Sequence, residues 1–197
     1  MLRRYTLYLF AVAILCAPWL LPGSVTAVVT GWISVVLLVA FLYEEKPIGT
    51  IFCLATVSHA ICFPWLVETI ARIFTVSLPV AILIFILFIT LGSLQLVGFV
   101  LLRNALPQAL SILALRAPIA WTFFELLPIR IFPWQFSHTQ LAFVSLVQIA
   151  EIFGSTCISF LMFWCIEAFW LFFKKERGKA TILLPASALI ATLIFGQ

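Results

Sequence analysis

The chain has 197 residues, of which 65% are hydrophobic and 9% charged, and its mean hydropathy is +1.26. Soluble domains are about 45 to 50% apolar and about 25% charged, so a water-soluble globule is excluded, as is intrinsic disorder. The 11 Lys+Arg give a net charge of +4 but are scattered rather than gathered into a stripe, so no nucleic-acid partner is expected. No cofactor and no metal are expected either. Cys16, Cys53, Cys62, Cys157 and Cys165 all fall inside apolar stretches. Such cysteines read as small buried hydrophobes, without the loop placement of a disulfide framework or the short spacing of a zinc site.

Because an apolar helix of about 20 residues crosses a bilayer, the chain is expected to be all-α: a polytopic transmembrane helix bundle forming a single domain over residues 1–197. Its first apolar run, residues 5–21, is longer than a signal-peptide core and is taken as an uncleaved span. Breakers and charges then delimit spans at residues 25–42, 48–66, 76–102, 107–127, 141–173 and 180–197, making about seven. The predicted internal ends carry Arg3, Arg4, Lys46, Arg103, Lys174, Lys175, Arg177 and Lys179, against Arg72 and Arg130 at the other ends. Short cytoplasmic loops retain basic residues, so the N-terminus is expected inside and the C-terminus outside.

Ionisable groups within a bilayer are costly and face a bundle interior or a cavity. The fifth span carries Gln108, Arg116 and Glu125, and the sixth carries Gln148, Glu151 and Glu167. At 1.5 Å per residue, Arg116 and Glu151 lie at similar depth, roughly 13 to 16 Å below the outer ends of adjacent helices. They are expected to form an intramembrane ion pair. That pair either only neutralises two charges and locks two helices together, or floors a polar cavity that opens outward beside Glu125, Arg130 and His138. His59 reads as a packed core histidine, and Glu68 with Arg72 as an ordinary i,i+4 helix pair. Trp65, Trp121 and Trp134 suit an interfacial belt. Pro133 makes the Trp134 loop a stiff lip over any groove beneath it.

From this region onward the ordered series Trp121, Glu125, Arg130, Phe132-Pro133-Trp134, Gln140, Gln148-Ile149-Ala150, Gly154 and Ser159-Phe160-Leu161 resembles the N-terminal membrane domain of the apolipoprotein N-acyltransferase family. The resemblance implies a membrane bundle that holds phospholipid and a prolipoprotein near its outer face. It also implies a nitrilase-like domain that acylates the lipoprotein through a Glu-Lys-Cys triad. That domain would begin where this sequence ends, at Gln197, so no catalytic residue is expected in the chain. Ser137 stands where a glycine is expected in the family, and Arg130 lies farther from Glu125 than in many members.

Glu125, Arg130, Trp134 and His138 are therefore the candidate lipid-binding residues. The expected localisation is the bacterial cytoplasmic (inner) membrane. The expected function is the lipid- and lipoprotein-binding half of an N-acylating system, completed by a separate nitrilase-like chain. The alternative is a non-enzymatic subunit or scaffold of a larger membrane complex, with other membrane subunits as partners. A small transporter fits less well, because the intramembrane charges gather near one face.

Overall fold

The computed structural model describes residues 23–43, 47–127 and 134–197. The expected first span at residues 5–21, together with Arg3, Arg4, Cys16, Lys46, Arg130 and Phe132-Pro133, lies outside them. The described residues are helical, with no strand among them.

Helix α1 (Val25–Leu42) opens on Ser24, whose hydroxyl accepts from the Ala27 amide at 3.0 Å and so satisfies one orphan donor of the first turn. Helices α2 (Ile48–Cys62) and α3 (Trp65–Ile73) form a pair bent by 65°. Pro64 causes the break, since a proline lacks the N–H that would continue the ladder and biases the preceding residue, Phe63, away from helical geometry. On α3, Leu66 and Ile70 are buried while Glu68 and Arg72 pair on the exposed face. Helix α4 (Leu78–Ala105) follows as one unbroken rod of 28 residues.

The segment expected as a single fifth span is two pieces. Pro107 starts a 3-10 turn (Gln108–Leu113), Ala114 ends it in the left-handed region at φ 55°, and α5 (Arg116–Leu126) begins afresh. Pro118 falls in the first turn of α5, where its missing N–H costs nothing. The sixth segment, expected as one long helix over residues 141–173, is likewise divided. A 3-10 turn (Phe136–Gln140) leads into two four-residue helices, α6 (Val144–Val147) and α7 (Ala150–Phe153), before α8 (Thr156–Phe173). Gly154 makes that break at φ 77°, a backbone angle that glycine adopts without steric cost. Helix α9 (Ala180–Phe195) closes the chain.

Helices α1, α4 and α8 are each long and apolar enough to cross a membrane, and the bent α2–α3 pair qualifies as a unit. Many large apolar side chains face outward, among them Ile33, Leu83, Leu87, Leu101, Phe169 and Ile194. A bilayer is the solvent that tolerates such a surface.

Inside, α8 packs on α1, α5 and α9, and α4 packs on α2, α3 and α5. One core cluster centres on Phe99, Ala117, Ala120, Trp121, Phe136, Met162 and Phe163. A second joins Phe63, Leu66, Ile70, Ala81 and Phe88. Half-buried Trp134 packs against both. The cysteine reading is corrected at two positions: Cys62 is disulfide-bonded, and Cys53 is an exposed free thiol, while Cys157 and Cys165 are free and half-buried.

Candidate functional site

Two groups of polar side chains lie toward opposite ends of α5. At its start, Glu167 of α8 is fully buried and gathers three donors. Its Oε1 accepts from Arg103 Nη2 at 3.3 Å and from the Tyr43 hydroxyl at 3.2 Å, and its Oε2 accepts from the Ala117 amide at 2.7 Å. That amide belongs to the first turn of α5 and has no intrahelical acceptor, so the carboxylate both caps the helix and meets the positive end of its dipole. The Arg103 guanidinium lies 4.3 Å over the Tyr43 ring. Four elements, α1, α4, α5 and α8, are thereby joined in one buried knot.

Arg116 belongs to this knot and is not brought to Glu151. Its Nε and Nη2 donate to the carbonyls of Arg103 and Asn104, each at 3.0 Å, and its Nη1 donates to Gln108 Oε1 at 3.1 Å. The guanidinium therefore closes the C-terminal end of α4, where helix carbonyls lack partners. Glu151 is exposed on α7 and borders a shallow hollow with Leu141, Val144 and Gln148. Arg116 begins a helix that runs unbroken to Leu126, but the stretch from Leu141 to Glu151, expected as the start of one long helix, is divided into turns and two four-residue helices, so the two residues do not meet.

Toward the other end of α5, Glu125 is 1% exposed. Its Oε1 accepts from Trp121 Nε1 at 2.7 Å and from the Phe136 amide at 3.2 Å, tying the segment after Trp134 to the helix. Further bonds fix the same segment from two more sides. Ser159 Oγ accepts from the Ser137 amide at 3.0 Å, and Gln140 Oε1 accepts from Trp32 Nε1 at 3.0 Å. His138 serves this turn as well, its Nδ1 accepting from the Gln135 amide at 3.3 Å. Of the four candidate lipid-binding residues, then, Trp134 faces a cavity, Glu125 supports it from behind, His138 caps a turn, and Arg130 lies outside the described residues.

The cavity beside Trp134 is a half-open cleft of about 70 Å³ between α2, α4, α5 and the Trp134–Phe136 stretch. Its walls include Leu38, Ala55, His59, Phe63, Trp121 and Phe136, and among the described residues no charged side chain borders it. The His59 ring lies 5.9 Å from each of the rings of Phe63, Phe88 and Trp134. Trp121 stacks on Phe163 at 4.7 Å and meets Phe99 edge-on at 5.0 Å, so the wall beneath the cleft is continuous with the main core. Such preformed apolar concavities with a few polar groups are where small molecules and acyl chains bind.

His59 is the residue that sequence reading placed in the core without a role. It is buried but lines the cleft. The available signal was its position one helical turn before the Phe63-Pro64 break, because a broken helix leaves room beside its last turn. Among the described residues, no three His, Cys, Asp or Glu side chains come together as a metal site requires.

Curated proteins and solved structures yield no match to this chain. A family model does: that of the apolipoprotein N-acyltransferase N-terminal domain, over residues 12–168. The match takes in α1 to α5, the Trp134 segment and most of α8, and so contains both the knot and the cleft. The chain belongs to the apolipoprotein N-acyltransferase N-terminal domain family.

Proposed function

We propose that this chain is the membrane-embedded half of a lipoprotein N-acylating system, and that it holds acyl lipid in the cleft beneath Trp134. The observation that carries the reading is the cleft itself. It is a half-open, aromatic-walled space, without a charged side chain among the described residues that line it, within a bundle that exposes many apolar side chains. An acyl chain lying along Trp121, Trp134 and Phe136 removes apolar surface from its surroundings and gains close contacts with rigid rings, while Glu125 keeps the lip in place by anchoring the Phe136 amide.

Acyl transfer itself belongs to a nitrilase-like domain in this reading. Transfer to an amine through a thioester needs a thiolate with a base beside it and a donor to stabilise the oxyanion. The sulfurs of Cys157 and Cys165 instead approach the backbone carbonyls of Ile149 and Pro185. A bacterial inner membrane, an internal N-terminus and the cleft in the outer half of the bundle complete the proposal. In that orientation the knot lies at the cytoplasmic side, the cleft faces the leaflet that lipoprotein reaches, and phospholipid and prolipoprotein are the partners.

The test is reconstitution. The chain is combined with a nitrilase-like catalytic domain, phospholipid and a diacylated lipoprotein, and the lipoprotein's N-terminal peptide is weighed by mass spectrometry. N-acylation that requires both components, and that falls with Trp134→Ala, supports the reading. N-acylation by the catalytic domain at the same rate without this chain contradicts it.

A further inference from the structure

Residues 174–179, between α8 and α9, hold four cations and one acid: Lys174, Lys175, Glu176, Arg177 and Lys179. All five side chains are exposed. Two backbone bonds fix the turn. The Glu176 amide donates to the Leu171 carbonyl at 3.0 Å and the Lys175 amide to that of Phe172 at 2.9 Å, the pattern that closes a helix on a left-handed residue. That residue is Lys175, at φ 59°. Glycine takes this angle without steric cost and lysine does not, so a lysine side chain stands where the backbone favours none. One cation is enough to meet the dipole at the end of α8; four within six residues exceed that need.

The flanking residues put this loop at the level of lipid headgroups. Trp170, in the last turn of α8, and Tyr43, at the end of α1, are half-buried with ring centroids 6.0 Å apart. Such amphipathic rings settle at the boundary between acyl chains and water. The Lys174 ammonium lies 5.4 Å over the Trp170 ring. On the helix side of the loop, Phe169 and Phe173 are exposed and stack at 6.2 Å, and Leu183 and Leu184 are exposed at the start of α9. A basic cap over an apolar ridge matches a molecule with an anionic head and aliphatic tails. A soluble phosphate would meet the cations and leave the ridge uncovered. A zwitterionic head would bring a cation of its own towards the lysines.

We propose that the loop between α8 and α9 is a docking site for phospholipid of net negative charge, with the headgroup against Lys174, Lys175, Arg177 and Lys179 and the acyl chains along Phe169 and Phe173. The proposal goes beyond the cleft beneath Trp134 and does not depend on it. Exposed cations are screened by salt and hold single partners weakly. The site therefore draws anionic lipid from the surrounding bilayer by exchange and does not carry it through purification in detergent.

The full chain in phosphatidylcholine nanodiscs receives a trace of phosphatidylglycerol or of phosphatidylcholine with identical diazirine-bearing chains, and after irradiation the labelled peptides are mapped by mass spectrometry. Phosphatidylglycerol is expected to label residues 169–184 more strongly than phosphatidylcholine does, while both probes label the exposed Leu83 and Leu87 region of α4 equally. A Lys or Arg near the headgroups is worth about fivefold in partition of anionic lipid. Lys174→Gln with Lys175→Gln should therefore remove most of the difference, and Lys174→Arg with Lys175→Arg should keep it. The wild-type protein supplies a readout that does not depend on a variant's folding: the difference disappears in 1 M salt, where the screening length is about 3 Å. Equal labelling of residues 169–184 by the two probes at low salt overturns the proposal. A difference that survives both the glutamine pair and high salt overturns it too, because charge is then not its cause. Displacement of the phosphatidylglycerol label by glycerol phosphate at constant ionic strength would make the occupant a soluble anion, and likewise overturns it.

Discussion

The knot and the cleft share α4 and α5 yet handle buried polarity in opposite ways. Ala117 and Glu125 are eight residues apart on one helix, about 12 Å along its axis. Around Ala117, two arginines, a tyrosine, a backbone amide and a carboxylate form a mutual set, and Glu167 uses both oxygens. Around Trp121 the described residues put no charge in the cavity wall, and His59 Nε2 has no hydrogen-bond partner. The knot's interactions are internal and hold four helices together, so it has little to offer a ligand. The cleft adds less to cohesion and leaves both space and a polar atom for something else. In a bundle whose exterior is apolar, buried charge alone therefore does not mark a binding site; what marks one is a polar atom without an internal partner beside an open space.

That contrast is tested first where the largest loss of stability is expected. Replacing Glu167 by Leu strands Arg103 and uncaps α5, and removing one partner of a buried pair costs about 3 to 5 kcal/mol. Thermal unfolding in detergent should show a large loss of stability for Glu167→Leu, and Arg103→Leu combined with it should lose less than the sum of the two single losses. Additive losses would mean that the knot is not a unit. Trp134→Ala sharpens the comparison from the other side. The half-buried ring should give a smaller loss, about 1 to 3 kcal/mol, but a much larger drop in retained lipid. Arg116→Lys keeps the charge and loses the forked contacts to the α4 carbonyls, for about 1 to 2 kcal/mol. Glu151→Gln, on an exposed four-residue helix, should change stability by less than about 0.5 kcal/mol. Its effect should also be independent of any change at Arg116, as a double-mutant cycle would show.

Composition made the helical membrane class and the family legible, because hydropathy and an ordered series of short motifs survive without any knowledge of packing. Helix ends were legible where a local residue dictates them, as Ser24 does, whereas the expected span over residues 48–66 ran through Pro64, where the chain breaks into two helices. The partners of the buried charges were not. Arg103 and Glu167 are 64 residues apart, and their meeting depends on how α4 and α8 pack around α5, which no local pattern encodes. The Arg116–Glu151 expectation failed to find its geometry for a related reason: the stretch from Leu141 to Glu151, assumed to be one helix, is a turn and two four-residue helices. Glu125 and Trp134, both named as candidate lipid-binding residues, take different places in the structure. One is buried as a strut, and the other faces the space that the strut maintains.

The most direct test of the central claim is native mass spectrometry of lipid retained by the purified chain, comparing wild type, Trp134→Ala and Glu151→Gln at equal folded fraction. The account predicts bound acyl lipid on wild type and Glu151→Gln and its loss from Trp134→Ala. Retention unchanged by Trp134→Ala but lost with Glu151→Gln would place the lipid in the hollow beside α7 and contradict the assignment of the cleft.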